Sequence, residues 1–486
     1  MQSYKKNLTR RSKALDIHKS VLELYKSAIT HDSNVFSNEE IITWINKKKD
    51  EANFVTKEIP LNELNKWSFA NTTGNLIHES GGFFSITGIH IETNWGEINN
   101  WTQPIIDQRE VGILGIICKP IDGVLHFLMQ AKLEPGNINQ VQISPTLQAT
   151  MSNITQKHNG SKPSYIEYFQ NFDNSEIVLD QLQSEQGGRF FKKRNRNIII
   201  KITESIEIKE NFIWMTLGQI KNLLKMDNII NMDSRSVIAC INFFDSDHEQ
   251  LFSKDGQDNT SLFAKSYLTK PDMHQLFTES LRWVTEVKSK CLSSTNLVNL
   301  SLVKGWVNNG ITIEHVDNKY FSIIGVRSYI EGREVAQWDQ PMYKPKQEGI
   351  IAFIIKPVDG ILNILMQAKV EVGNIDLLEL APTVQTLTGS YKEDSKVPFL
   401  NNILDAPSSK IICSSMQSEE GGRFYHESNY NCIVMEHEDF NPNLSENFKW
   451  IPLNQILFLL KFNNYLNMSA RSLLVQLPVE GEGKTI

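Results

Sequence analysis

One stretch of this chain is written twice. Residues 112–138 read GILGIICKPIDGVLHFLMQAKLEPGNI, and residues 349–375 read GIIAFIIKPVDGILNILMQAKVEVGNI, with 17 of 27 positions identical at an offset of 237. The match extends outward without gaps. His78 recurs as His315, Phe84-Ser85-Ile86 as Phe321-Ser322-Ile323, Trp101-x-Gln103-Pro104 as Trp338-x-Gln340-Pro341, and Pro145-Thr146-x-Gln148 as Pro382-Thr383-x-Gln385. Farther on the register slips by a few residues. QSEQGGRFF at 183–191 returns as QSEEGGRFY at 417–425, Trp214 as Trp450, and NMDSRS at 231–236 as NMSARS at 467–472. A unit of roughly 170–180 residues has been duplicated, long enough for each copy to be a domain and not a solenoid turn.

Inside each copy, short β-rich runs dominate, as at Phe83–Ile91, Val111–Cys118, Val124–Lys132 and Asn197–Ile202. Pro120-Ile121-Asp122-Gly123 and Pro357-Val358-Asp359-Gly360 read as hairpin turns, with Pro setting φ and Gly accepting φ > 0. Leu217, Ile220, Leu223 and Leu224, and again Leu453, Ile456, Leu459 and Leu460, have helical spacing. The expected class is α+β: two tandem homologous modules, each with a mixed sheet, behind an N-terminal helical segment. The expected boundaries are 1–60 for that segment, with helices over Ala14–Ala28 and Glu39–Lys49, then 61–245 for the first repeat. A polar linker plus helix at 246–300 and the second repeat at 301–480 complete the chain. The linker helix, 272–290, carries an apolar stripe suited to a partner subunit.

Of 486 residues, 40% are hydrophobic and 22% charged, and the net charge is 49 − 56 = −7. That is globular composition, too acidic overall for a general nucleic-acid binder. No run of 18 apolar residues exists, and the start MQSYKKNLTRRSKALD lacks an apolar h-region. A protein neither membrane-spanning nor secreted is therefore expected. Cys118, Cys240, Cys291, Cys413 and Cys432 are odd in number and without CxxC spacing, which fits buried thiols in a reducing cytoplasm.

Three clusters carry chemistry. In Met129-Gln130-Ala131-Lys132-Leu133-Glu134-Pro135-Gly136-Asn137, a strand through Lys132 would put Lys132 and Glu134 on one face. Such a pair can bind an anion and move a proton, and it would equally serve as a surface ion pair. Ser144, Thr146 and Gln148 begin a run of hydroxyls and amides suited to a sugar, or to a turn with a helix cap. Glu185-Gln186-Gly187-Gly188-Arg189, followed by Lys192, Lys193, Arg194 and Arg196, joins a close-approach backbone to cations, as a diphosphate needs. A solvated basic strand explains the same residues. The second copy keeps Glu419, Gly421, Gly422 and Arg423 but has HESNYN for KKRNRN, so the copies have diverged electrostatically. His78, His126 and His158 are candidate general bases or structural histidines. Trp67, Trp95, Trp101 and Trp338 could stack on a base or fill the core. No HExxH, GxSxG, Walker loop or GxGxxG occurs, so neither metal nor cofactor is expected.

At these motifs the chain closely resembles the NDP-hexose 2,3-dehydratases of deoxysugar biosynthesis. The matching stretches are GILGIICKPIDGVLHFLMQAKLEPGN, ISPTLQATMSN, TGNLIHESGGFFSITG, FFKKRNRN and NMDSRS, with LAPTVQ and SEEGGRF in the second half. The resemblance implies two Nudix-hydrolase-like modules per chain, a homodimer, and a nucleotide-sugar pocket in each module, one of them catalytic. The Nudix catalytic helix is absent after Gly136 and Gly373, so pyrophosphate hydrolysis is not expected. The implied substrate is a TDP-4-keto-6-deoxyhexose. On this reading the first repeat is catalytic, with Glu134 or His158 as proton shuttle and Lys132 as enolate stabiliser. Arg189, Arg194 and Arg196 would face the diphosphate, and Ser144, Thr146, Gln148 and Glu185 would help bind the substrate. Two alternatives remain: a Nudix-type nucleotide-sugar pyrophosphatase, and a nucleotide-sugar binding protein without turnover.

Overall fold

The computed structural model describes residues 20–96, 98–155, 162–170, 177–243, 261–331, 335–376, 378–386 and 397–480. Within them, each strand of the first half has a counterpart in the second. The first half carries β1 (Phe54–Ile59), β2 (Trp67–Phe69), β3 (Leu76–His78), β4 (Ser85–Thr93), β5 (Asn100–Asp107) and β6 (Gly112–Ile121). It continues with β7 (Val124–Leu133), β8 (Val141–Ser144), β9 (Leu147–Ala149), β10 (Ile177–Ser184), β11 (Arg194–Lys201) and β12 (Phe212–Met215). The second half repeats them in order as β13 (Ser293–Val298), β14 (Trp306–Asn308), β15 (Thr312–His315), β16 (Phe321–Ile330), β17 (Gln337–Pro345) and β18 (Gly349–Val358). Then come β19 (Ile361–Val370), β20 (Leu378–Ala381), β21 (Val384–Thr386), β22 (Ile411–Ser418), β23 (Ser428–Met435) and β24 (Phe448–Pro452).

Each half builds a large mixed sheet. The first has the order β10-β11-β6-β7-β12, with β8 on β7 and β9 on β6; the second is β22-β23-β18-β19-β24, with β20 on β19 and β21 on β18. β11 runs parallel to β6, and β23 to β18. These central strands are covered on both faces, which is why they read as nearly unbroken apolar runs. In the β6–β7 hairpin, Asp122 and Gly123 have φ of 51° and 74°, and Asp359 and Gly360 repeat these values. Two successive left-handed residues make the tight turn whose twist matches the strands, and Asp-Gly tolerates it. Pro120 and Pro357 lie in the strand ends, opposite Leu125 and Leu362, so Asp and not Pro forms the first corner.

The small sheets are where the halves stop being separate. One has the order β13-β4-β3-β2 with β5 on β4; the other is β1-β16-β15-β14 with β17 on β16. The first strand of each half is therefore exchanged. β1 runs antiparallel to β16, from Phe54 opposite Ile330 to Ile59 opposite Gly325, and β13 pairs with β4, from Ser293 opposite Thr93 to Val298 opposite Gly88. A side chain at Gly325 would meet the Ile59 carbonyl, and one at Gly88 would meet Val298 and Val303, so glycine makes room for the crossing chain.

Helices cover the large sheets. In the first half, a helix over 20–29 and another at Asn38–Asp50 contribute Leu24, Ala28, Ile41 and Ile45 to the core around Leu114 and Phe127. Ser37 starts the second of these with a reciprocal capping box to Glu40. In the second half the helical stretch 273–290 places Leu276 and Val284 in the same core, and Val287 against Ala368 and Leu378. Its apolar stripe thus turns inward on its own chain. Most of the expected polar linker falls at 244–260, outside the described residues.

The helices Met232–Ala239 and Met468–Leu474 meet where the halves join. Arg235 is buried and donates Nη1 to Ser472 Oγ at 2.7 Å, with Nη2 on the Ser418 carbonyl. Arg471 does the converse, donating Nε to Ser236 Oγ at 3.2 Å and Nη2 to the Ser184 carbonyl. This reciprocity explains why both copies of the motif keep Arg-Ser. Cys118, Cys240 and Cys432 are buried, Cys291 and Cys413 half-buried, and all five are free thiols. Among the described residues, no helix is long and apolar enough to cross a membrane.

Candidate functional site

Lys132 and Glu134 leave the end of β7 two positions apart and turn to the same side, with Lys132 Nζ 3.6 Å from Glu134 Oε1. Gln148, on β9, donates Nε2 to Glu134 Oε1 at 3.0 Å, and its carbonyl accepts from Lys132 Nζ at 3.4 Å. The other end of that amide is also fixed: Gln148 Oε1 accepts from Asn231 Nδ2 at 3.0 Å. Asn231 is the N-cap of the Met232–Ala239 helix, where its Oδ1 takes the Ser234 amide at 2.9 Å. A helix cap therefore orients the site. Glu134 Oε2 is buried without a hydrogen-bond partner.

These groups line a cavity of about 400 Å³, in the range of small-molecule sites. Asp233 and Glu185 line it from the first half, but Glu420 and Arg423 come from the second. They arrive because the second Gly-Gly-Arg turn docks on the segment after β7. Gly136 donates its amide to the Gly421 carbonyl at 2.8 Å, and its carbonyl accepts from His426 at 3.0 Å. A Cβ at Gly136 would land on the Phe424 carbonyl, so only glycine allows this approach. The Arg423 guanidinium lies 4.1 Å over the Phe84 ring and donates Nη2 to Gln108 Oε1 at 3.1 Å, while its Nε has no partner.

The carboxyl groups of Glu134, Glu185, Asp233 and Glu420 share this space with Lys132, Lys193 and Arg423. Burial, then the negative charge of Glu185, Glu420 and Glu134, pushes Asp233 well above the usual carboxyl range. Burial and then Glu134 push Glu420 to about 7. Glu185 is raised by burial against the pull of Lys193, and Lys193 is lowered by burial against the pull of Glu185. Asp233 and Glu420 are thereby the carboxyls that favour their protonated forms, which equips the site to deliver a proton.

A second cavity, of about 1220 Å³, repeats the plan with the halves exchanged. Lys369 Nζ bonds the Gln385 carbonyl, Gln385 Nε2 bonds Glu371 Oε1, and Asn467 Nδ2 bonds Gln385 Oε1, each at 2.8 Å. The first Gly-Gly-Arg turn docks there, with the Gly373 amide on the Gly187 carbonyl at 2.7 Å and Arg189 4.4 Å over Phe321. The scaffold is the same; the chemistry is not. Ser469 replaces Asp233, Gln186 replaces Glu420, Glu427 replaces Lys193, Val372 replaces Pro135 and Ala381 replaces Ser144.

Of the residues singled out by sequence, Lys132, Glu134, Gln148 and Glu185 come together in the first cavity. Ser144 and Thr146 lie buried beside it with their hydroxyls engaged, Ser144 on the Pro145 carbonyl at 3.1 Å and Thr146 on the Leu128 carbonyl. Arg189 lines the second cavity. Strand alternation splits the basic run: Lys193 and Asn195 line the first cavity, while Arg194 and Arg196 alternate to the other side, Arg196 pairing with Asp180 at 2.5 Å. His158 lies outside the described residues. His78 lines the first cavity, its Nδ1 2.8 Å from Ser80 Oγ, and burial lowers its pKa. His126 is held by Ser33 and the Val124 carbonyl. Trp67 and Trp338 line the first cavity, Trp95 and Trp101 the second.

Asp233, Glu420 and Arg423 were not among the residues expected to form one site. For Asp233 and Glu420 the signal was the mismatch between copies, Asp against Ser in NMDSRS and Glu against Gln in QSEEGGRF, whereas Arg423 matches Arg189 and carried none. Among the described residues, no group of three His, Cys, Asp or Glu side chains is arranged to hold a metal ion.

The family model for NDP-hexose 2,3-dehydratase matches residues 38–241 and again 277–477, so each match begins ahead of its exchanged strand. A dTDP-4-dehydro-6-deoxy-α-D-glucopyranose 2,3-dehydratase of Saccharopolyspora spinosa is 41% identical over 454 residues, covering 93% of each chain. Its namesake from Amycolatopsis orientalis is 37% identical over 94% of each. That from Streptomyces violaceoruber is 38% identical over 85% of this chain and 91% of its own. With both halves matched and these relatives nearly co-extensive with it, the chain belongs to the NDP-hexose 2,3-dehydratase family.

Proposed function

We propose that this protein eliminates water across C2 and C3 of dTDP-4-keto-6-deoxyglucose, giving the 3,4-diketo-2,6-dideoxy sugar nucleotide, and that the first cavity performs the reaction. The observation that carries the assignment to that cavity is the meeting of the Lys132–Glu134 pair with Asp233 and Glu420, two carboxyls held above their usual range. The C4 ketone acidifies H3, so the step needs a base, a partner for the enolate oxygen and an acid. Glu134 takes H3 on its unpartnered oxygen. Lys132 stabilises the negative charge that develops at O4, an interaction of a few kcal/mol in such sites. A protonated carboxyl gives its proton to the departing C2 hydroxyl, so that water leaves. The C2=C3 enol then tautomerises, taking a solvent-derived proton at C2.

Binding follows the same partition. Arg423 offers its unpartnered Nε to the diphosphate, Trp338 and Phe83 line the wall suited to the thymine, and the Gln148–Asn153 segment lines the sugar end. The same reading includes a Nudix-hydrolase-like origin for each half, a dimeric assembly and a cytoplasmic location. Its test is NMR of the protein with dTDP-4-keto-6-deoxyglucose in D₂O. Loss of the C2 hydroxyl with deuterium at C2 supports dehydration. Saturable binding with an unchanged substrate leaves a binding protein, and release of TMP leaves a pyrophosphatase.

A further inference from the structure

The proposed reaction leaves one role without an owner, the acid that protonates the departing hydroxyl. We infer that Glu420, a residue of the second half, is the catalytic acid of the cavity built on the first. This assignment rests on the dehydratase reading and adds the residue and the half of the chain that supply the proton.

Glu420 lies in the turn that docks on Gly136, and it lines the cavity that holds Glu134 and Lys132. Its Oε1 accepts the Gly422 amide at 2.9 Å, which ties down one oxygen and leaves the other for a ligand. The side chain is half-buried and opens onto the cavity, whereas Asp233 is almost completely buried at the start of its helix. Burial holds Asp233 protonated as well, but its near-complete enclosure leaves it less open to a substrate hydroxyl than Glu420.

In the other cavity the corresponding residue is Gln186, whose side-chain amide is turned to the Glu419 carboxylate and not to the cavity. An amide cannot deliver a proton, so this exchange removes the acid from one cavity while keeping the shape of the turn. It also shows that the fold accepts glutamine at this place. The cavity carboxyls that face Glu420, chiefly Glu134 and Glu185, favour its protonated form, and Arg423 and Lys132 oppose them.

The balance of the step is complete. Glu134 removes H3 and the electron pair moves into a C3=C4 enolate. The enolate collapses to the C4 ketone, the C2–O bond breaks, and the Glu420 proton leaves with that oxygen as water. Glu420 ends as a carboxylate and Glu134 as an acid; solvent resets both.

The two halves of this step can be read separately. In D₂O, Glu420→Gln should still exchange H3 of dTDP-4-keto-6-deoxyglucose for deuterium, within about tenfold of the wild-type rate of H3 removal, and still bind the nucleotide sugar. Its elimination should fall by about 10²–10⁴-fold, the usual contribution of an acid. Glu134→Gln should lose exchange and elimination together. The assignment is overturned if Glu420→Gln eliminates at nearly the wild-type rate, or if it binds but loses exchange in step with elimination. It is equally overturned if Asp233→Asn, and not Glu420→Gln, separates exchange from elimination. Wild-type protein that binds the substrate without eliminating water would overturn the dehydratase reading itself, a result distinct from any of these.

Discussion

The two cavities share a skeleton and differ in their ionisable groups. Lys, Gln, Glu and a helix-capping Asn form the same hydrogen-bonded chain in both, from Lys132, Gln148, Glu134 and Asn231 to Lys369, Gln385, Glu371 and Asn467. That chain is therefore scaffold as much as chemistry, since duplication preserved it in both places. What separates the cavities lies around it: an aspartate, a glutamate and a lysine in the first stand where serine, glutamine and glutamate stand in the second. A Lys–Glu pair is thus common to both cavities, and the ionisable groups around it are what tell them apart.

The sharpest way to break this comparison is to treat the matched glutamates alike. Glu134→Gln should lower kcat for dehydration by about 10³-fold, whereas Glu371→Gln should stay within about fivefold of wild type. Steady-state assays of both variants decide the matter, and equal losses would mean that both cavities turn over substrate.

Stability should behave in the opposite way, symmetrically. Arg235→Met and Arg471→Met each remove one arm of the reciprocal contact and strand buried partners on the other half. Each should cost about 3 kcal/mol in denaturant unfolding. A large loss for one and none for the other would show that the junction is not a true pseudo-dyad.

A subtler difference concerns pH. Glu379, beside the second cavity, is raised to about 8 by burial, whereas its counterpart in the first half is the neutral Gln142. Because its folded-state pKa lies above its unfolded value, ionising Glu379 costs the folded state more than the unfolded one. Stability is thus lost as pH rises from about 4.5 through 8. Glu379→Gln should raise stability by a few kcal/mol at pH 8 and change it little at pH 4.5. Thermal melts at the two pH values measure it; an equal shift at both would show that ionisation is not the cause. The smallest expected effect lies at the twin hairpins. Asp122→Asn and Asp359→Asn, each at a left-handed corner before glycine, should alter unfolding free energy equally and slightly, by a few tenths of a kcal/mol in denaturant titrations.

Much of the architecture was legible because it is local. Period-two and continuous apolar runs announced β6, β7 and β11, the Pro-x-Asp-Gly segments announced the hairpins although Asp and not Pro takes the first corner, and Lys132 and Glu134 share a side because strand residues two apart must. The basic run misled for the same kind of reason. Lys192, Lys193, Arg194 and Arg196 are close in sequence, but Lys193, just ahead of β11, and Asn195 on it line the first cavity, whereas the arginines alternate away from it. Arg189 shows the limit more plainly: its motif was readable, but the cavity it serves was not.

By itself, the sequence determined that the chain is a duplication, several of the strands and the hairpin of each copy, which family it resembles and where the copies have diverged in charge. Only the tertiary structure decided that each half lends its first strand and its Gly-Gly-Arg turn to the other, bringing Glu420 and Arg423 to the Lys132–Glu134 pair. The physical reason is that a strand edge or a glycine turn presents the same backbone hydrogen-bonding groups to either of two near-identical partners. Which partner it takes depends on the folded packing across the junction of the halves.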